Sequence, residues 1–190
     1  YIFLAYIDKN YLFIFGTIIY FIILYEIRKF FKIKLINITY IYIILSYIFF
    51  FIYINFYFNF LEFNFFIFII ILFDSSSYII GVKLGTKKIL GNLSPNKTLE
   101  GFIGGIITTN ILSLFFILYF YNYIYLENFI FLNIIILTSL CGDILESYFK
   151  RKNNIKDSSI FLPGHGGFFD RFDSFIFSII FLSFYKLISI

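Results

Sequence analysis

The residues best suited to chemistry crowd into one stretch, Ser147 to Asp173, which reads SYFKRKNNIKDSSIFLPGHGGFFDRFD. It holds Lys150, Arg151, Lys152, Lys156 and Arg171 beside Asp157, Asp170 and Asp173. Pro163, the single histidine His165, and Gly164, Gly166 and Gly167 lie among them. Just upstream, Asp143, Glu146, Ser147 and Lys150 recur at i, i+3, i+4 and i+7, the spacing of one helical face. Carboxylates, lysines and a glycine-rich turn beside apolar sequence point to metal-assisted chemistry on phosphate. Mg²⁺ takes oxygen ligands and combines one or two carboxylates with substrate phosphates and water. Asp143 is the expected first ligand, Asp170 the second and Asp173 a third, around one or two divalent ions. Lys150 and Lys156 are candidates for substrate phosphates, whereas Lys152 can equally flank a membrane. His165 could contact a phosphate, move a proton or pin the turn, and with no further His or Cys ligands beside it zinc is not expected. The glycines would let backbone amides approach phosphate. The plainer alternative for Asp143, Glu146 and Ser147 is a polar helix face packed against a neighbour.

A second block, DSSSYIIGVKLGTKKILGNLSPNKTLEGFIGG, runs from Asp74 to Gly105. Gly81 and Gly85 permit close helix approach or a tight exit turn. Ser94-Pro95 marks a turn or helix start, with Lys97, Thr98 and backbone amides open to anionic oxygens. Alone, this block could also be a basic loop touching anionic lipid headgroups.

Both blocks need elements to hold them, and the composition says which kind. With 61% hydrophobic and 14% charged residues in 190, and a mean hydropathy of +0.93, an ordinary soluble domain is excluded. Continuously apolar runs such as FFIFIIILF do not alternate, which favours helices over a barrel. Six spans are expected, at roughly 11–27, 36–57, 64–81, 102–122, 129–149 and 172–190. The fold class is therefore all-α, a polytopic helical membrane protein. Residues 1–63 carry no motif and 64–190 carry all of them, within one membrane unit. Single Cys141 excludes an internal disulfide and a multi-Cys metal site. The chain lacks an initial Met, so residue 1 is expected to be a processed or unusual start or the edge of a fragment. No cleavable signal peptide is evident around Asp8, Lys9 and Asn10.

Charge then orients the spans. Arg28, Lys29, Lys32 and Lys34 follow the first, Lys83, Lys87, Lys88 and Lys97 the third, and Lys150, Arg151, Lys152, Lys156 and Arg171 the fifth. The turns after spans two and four offer only Glu62 and Glu127. The positive-inside rule makes the basic side cytoplasmic, giving a polar funnel open to the cytosol, floored by carboxylates and rimmed by Lys and Arg.

The two blocks resemble the signature of the phosphatidate cytidylyltransferase (CDP-diacylglycerol synthase) family. The pattern appears here as Ser147, Lys150-Arg151, Lys156-Asp157, Pro163, His165-Gly166-Gly167, Asp170-Arg171 and Asp173. The upstream counterpart appears as Asp74, Ser75 to Ser77, Tyr78, Gly81, Gly85, Ser94, Pro95, Lys97, Thr98, Glu100 and Gly101. The resemblance implies a Mg²⁺-dependent nucleotidyltransfer in which CTP and phosphatidate give CDP-diacylglycerol and pyrophosphate. It implies catalytic roles for Asp143, Asp170, Lys150, Lys156, Arg171 and His165, with Asp143, Asp170 and Asp173 as metal ligands. Substrate binding would fall to Asp74, Ser94, Lys97, Thr98, Glu100, Ser147, Arg151, Gly166 and Gly167. A monovalent ion beside the divalent ones and a homodimer are compatible with it, and no nucleic acid partner is expected. The implied location is a bacterial-type inner membrane with the site facing the cytoplasm. Family members often have more N-terminal spans than 63 residues can supply. Two rivals are a CTP-using polyprenol kinase, and a non-enzymatic anion transporter or decayed remnant.

Overall fold

Each long apolar run closes into a helix, as backbone groups in hydrocarbon require. The computed structural model describes residues 8–31, 35–89, 91, 93–94, 97–121, 126–161 and 166–188. Its helices are α1 (Lys9–Phe30), α2 (Ile36–Ile52, continued by a π-helical turn over Tyr53–Tyr57), α3 (Phe60–Leu84), α4 (Leu99–Tyr121), α5 (Leu126–Lys152) and α6 (Phe169–Ile188). Among the described residues the only β pairing is an isolated bridge between Lys88 and Thr98. The expected all-α, polytopic class is borne out, and the described residues of each expected span fall on one of these helices, the second including its π-helical continuation. Five of them, α1 to α5, are long and apolar enough to cross a membrane. The sixth carries Asp170, Arg171, Asp173 and Lys186, too many charges for the same criterion. Large apolar side chains such as Phe21, Ile41, Phe115 and Tyr119 stand exposed on the helices, as lipid-facing positions do.

Local chemistry marks the helix ends. Asp8 caps α1 by accepting from the Asn10 amide at 3.0 Å, and Arg28 and Lys29 occupy its last turn, where the dipole favours cations. At the end of α5, Asn154 takes a left-handed conformation (φ 56°). The Asn154 amide donates to Arg151 O at 3.1 Å and the Ile155 amide to Lys150 O at 3.1 Å. That pair of bonds is a Schellman stop, and it sits just after the basic run of Lys150, Arg151 and Lys152.

The chain packs as two units, residues 1–60 with 141–190, and residues 61–140. This division differs from the motif boundary at residue 63, because the motif-bearing C-terminal part packs with the motif-free N-terminal helices. In the first unit α2 packs against both α1 and α6. Tyr20 OH and Ser46 Oγ lie 2.6 Å apart, Ser46 Oγ donates to Ile176 O at 2.7 Å, and Ser183 Oγ donates to Phe49 O at 2.8 Å. These stitches join three helices where no water competes. In the second unit, a Cβ on Gly101 would meet Ser77 O at 2.6 Å and one on Gly105 would meet Ser77 Cβ at 2.8 Å, so small residues let α4 approach α3. Asn110 and Asn133 exchange reciprocal amide bonds of 3.2 Å between α4 and α5.

Candidate functional site

The first unit gathers the Ser147–Asp173 chemistry at the junction of α5 and α6. Gly142 makes the junction close: an added Cβ would meet Asp173 O at 2.5 Å and Ser174 Cα at 3.0 Å. One and two turns farther along α5, Lys150 Nζ lies 2.8 Å from Glu146 Oε2 and 2.7 Å from Asp170 Oδ1. All three are largely withdrawn from solvent, with side-chain exposures of 13%, 2% and 11% for Lys150, Glu146 and Asp170. Glu146 and Lys150 therefore share the helical face anticipated from their spacing. Ser147 is buried and Asp143 half-buried on the same helix.

The two oxygens of Asp170 have different tasks. Oδ1 takes the Lys150 ammonium, while Oδ2 accepts from the Ser158 amide (2.9 Å), Ser158 Oγ (2.9 Å) and the Gly167 amide (2.7 Å). Four donors complement an ionised carboxylate. They also explain the glycine pair. Gly166 has φ +80°, and a Cβ there would strike Asp170 Oδ2; a Cβ on Gly167 would meet the Ser158 and Ser159 hydroxyls and, at 2.7 Å, Glu26 Oε1. The Gly167 amide, expected to face phosphate, thus donates to a carboxylate of the protein.

The other residues expected at the site are placed as follows. Lys156 and Arg171 are exposed, and Asp173 Oδ1 accepts from the Ser174 amide at 2.7 Å. Arg151 Nη1 donates to Ile155 O at 3.1 Å, closing the end of α5. His165, Pro163 and Gly164 lie outside the described residues, as does Pro95. In the second unit, Glu100 accepts from the Thr86 hydroxyl at 2.5 Å, the Thr86 amide at 3.0 Å and the Lys87 amide at 3.2 Å. The Leu99 amide donates to Lys87 O at 2.8 Å and the Ile89 amide to Lys97 O at 3.1 Å, so the basic loop 85–98 is tied at its base. Thr98 Oγ1 accepts from the Gly101 amide at 3.2 Å, and it packs where Gly81 and Gly85 leave room. Ser94 O accepts from the Lys97 amide at 3.2 Å, and Asp74 Oδ1 accepts from Ser139 Oγ at 3.3 Å.

One participant escaped the sequence reading. Glu26, fully buried on α1, accepts from Ser159 Oγ (2.7 Å) and the Phe168 amide (2.9 Å) through Oε1, and from the Phe169 amide (3.0 Å) through Oε2. An acid inside an apolar helix needs partners, and that was the available signal.

Among the described residues, no three His, Cys, Asp or Glu side chains are grouped to hold a metal ion. The acids are hard oxygen donors of the kind Mg²⁺ takes, and Asp170 Oδ1 accepts from Lys150 Nζ at 2.7 Å.

A buried Lys-carboxylate cluster beside a glycine-tied turn, set among long apolar helices, is the polar centre of the first unit. A family model described as the cytidylyltransferase family matches residues 1–189, and the chain belongs to that family. It is 45% identical over 117 residues to the phosphatidate cytidylyltransferase of Bacillus subtilis (strain 168), covering 58% of this chain and 42% of that protein. The phosphatidate cytidylyltransferase of Staphylococcus aureus (strain COL) is 45% identical over 112 residues (57% and 42%), and that of Staphylococcus haemolyticus 44% over 109 (56% and 41%). The chain thus spans about two-fifths of the length of the curated relatives it matches.

Proposed function

We propose that the protein is a phosphatidate cytidylyltransferase. The observation that carries this reading is the convergence of Lys150 from α5, and of Ser158 and Gly167 from the connecting loop, on the Asp170 carboxylate at the start of α6. In the proposed reaction a phosphate oxygen of phosphatidate attacks the α-phosphorus of CTP. A new P–O bond forms, the bond from the α-phosphorus to the bridging oxygen breaks, and pyrophosphate leaves with the electron pair. The nucleophile is already an anion, so no strong general base is required. The difficulty is bringing two polyanions together, and positioning with charge neutralisation meets it.

Lys150, Lys156 and Arg171 would bind phosphate oxygens and stabilise the departing pyrophosphate. Asp170 Oδ2 holds the loop, and Oδ1 with Glu146 holds the Lys150 ammonium that would turn to the reacting groups. Asp143 and Asp170, with Asp173 as a third ligand, would hold Mg²⁺, which would supply further neutralisation of nucleotide charge. His165 would contact phosphate from the turn. Lys97 and the tied 85–98 loop would take anionic oxygens, with the lipid tails remaining in the bilayer. The one-sided Lys/Arg distribution supports a cytoplasmic orientation in a bacterial-type cell membrane.

The test is product identification. Purified protein given CTP, phosphatidate and Mg²⁺ should yield CDP-diacylglycerol by mass spectrometry, and omitting either substrate should abolish it. An active membrane preparation whose lipid product lacks cytidine would refute the reading.

A further inference from the structure

Two carboxylates, Glu26 from α1 and Asp170 from the first turn of α6, hold the approach to α6. Asp170 binds Ser158 and Gly167, and Glu26 binds the next residue along each arm, Ser159 on one and Phe168 with Phe169 on the other. The amides of Phe168 and Phe169 belong to the N-terminal turn of α6, where donors lack intrahelical partners and the dipole favours an anion. Glu26 fills that role from a helix 142 residues away in sequence. The last turns of α1 add a second hold. The Phe161 ring lies 5.9 Å from that of Tyr25 and 6.2 Å from that of Phe30, and Lys29 Nζ sits 5.6 Å from the Phe161 ring centre.

We propose that Glu26 is a positioning residue: through Ser159, Phe168 and Phe169 it sets where α6 begins, and so where Asp170 and Arg171 meet the nucleotide phosphates. This rests on the cytidylyltransferase reading for what the positioned groups do. It does not rest on that reading for the clamp itself. A residue of the motif-free N-terminal part would then set the geometry of the motif-bearing site.

The test uses the full chain in detergent, comparing wild type with Glu26→Gln and the milder Ser159→Ala by hydrogen exchange and by kinetics. Gln keeps the shape but loses the charge and one acceptor. Exchange at Phe168 and Phe169 should quicken on the order of tenfold in Glu26→Gln, with α2 amides unchanged. The kcat/KM for CTP should fall by a factor on the order of 100, while the KM for phosphatidate stays put. Ser159→Ala should move both readouts the same way by less. Unchanged exchange in Glu26→Gln would overturn the clamp. Faster exchange with normal CTP kinetics, or with equal losses for both substrates, would overturn the positioning role. Should Glu26→Gln not fold, Ser159→Ala decides by the same criteria. A wild-type protein without cytidylyltransfer would sink the activity reading and confine the proposal to the exchange result.

Discussion

At the scale of single residues, the site is governed by how buried charges are matched. Lys150 stands between Glu146 and Asp170, and its removal leaves two neighbouring carboxylates without their shared cation. Lys150→Ala should therefore destabilise the protein by about 3–5 kcal/mol, the cost of an uncompensated buried charge. Thermal unfolding in detergent would show it, and Glu146→Gln added to Lys150→Ala should recover part of the loss. Asp143 and Asp170 should separate in the same assay. Both Asn variants should lose activity by orders of magnitude, but Asp170→Asn should also lose stability, because one amide oxygen cannot serve Lys150, Ser158 and Gly167 together. Asp143→Asn should melt near wild type and respond to raised Mg²⁺. Equal stability losses in the two variants would contradict this division of labour.

Among the elements, close approach does the positioning. Gly142 lets α5 meet α6 at Asp173, so Gly142→Leu should push the two helices apart and abolish turnover in protein that still extracts and elutes as folded. By contrast Asn133→Leu breaks only the amide pair with Asn110 and should cost about 0.6 kcal/mol, at most about 1.7, on unfolding in detergent. Much of this level was legible beforehand. Long apolar runs admit only helices in lipid, so all the spans could be placed, and the i, i+3, i+4, i+7 spacing put Glu146 and Lys150 on one face. What could not be read were partnerships across long stretches of chain. Glu26 meets Ser159 at a separation of 133 residues, and no local periodicity encodes that distance. The purpose of Gly166 and Gly167 was hidden for the same reason. Glycines permit close approach, but only the fold shows that Asp170 and Glu26 are what approaches.

For the whole molecule, the helices and the family agree on a polytopic membrane protein of the cytidylyltransferase family, and the one-sided Lys/Arg distribution predicts a cytoplasmic orientation for the basic side. Asn154, in the basic segment after α5, offers a label site in a Cys141→Ala background. An Asn154→Cys protein should react with an impermeant maleimide only from the cytoplasmic side; reaction only from the other side would invert the orientation. The chemistry itself is tested most directly by where the phosphorus of CTP goes. CTP labelled at the α-phosphate in one reaction and at the γ-phosphate in another, each with phosphatidate and Mg²⁺, distinguishes nucleotidyl transfer from phosphoryl transfer. Cytidylyl transfer predicts that α label enters the lipid and γ label leaves as pyrophosphate. Lipid carrying only the γ label, with CDP released, would contradict it.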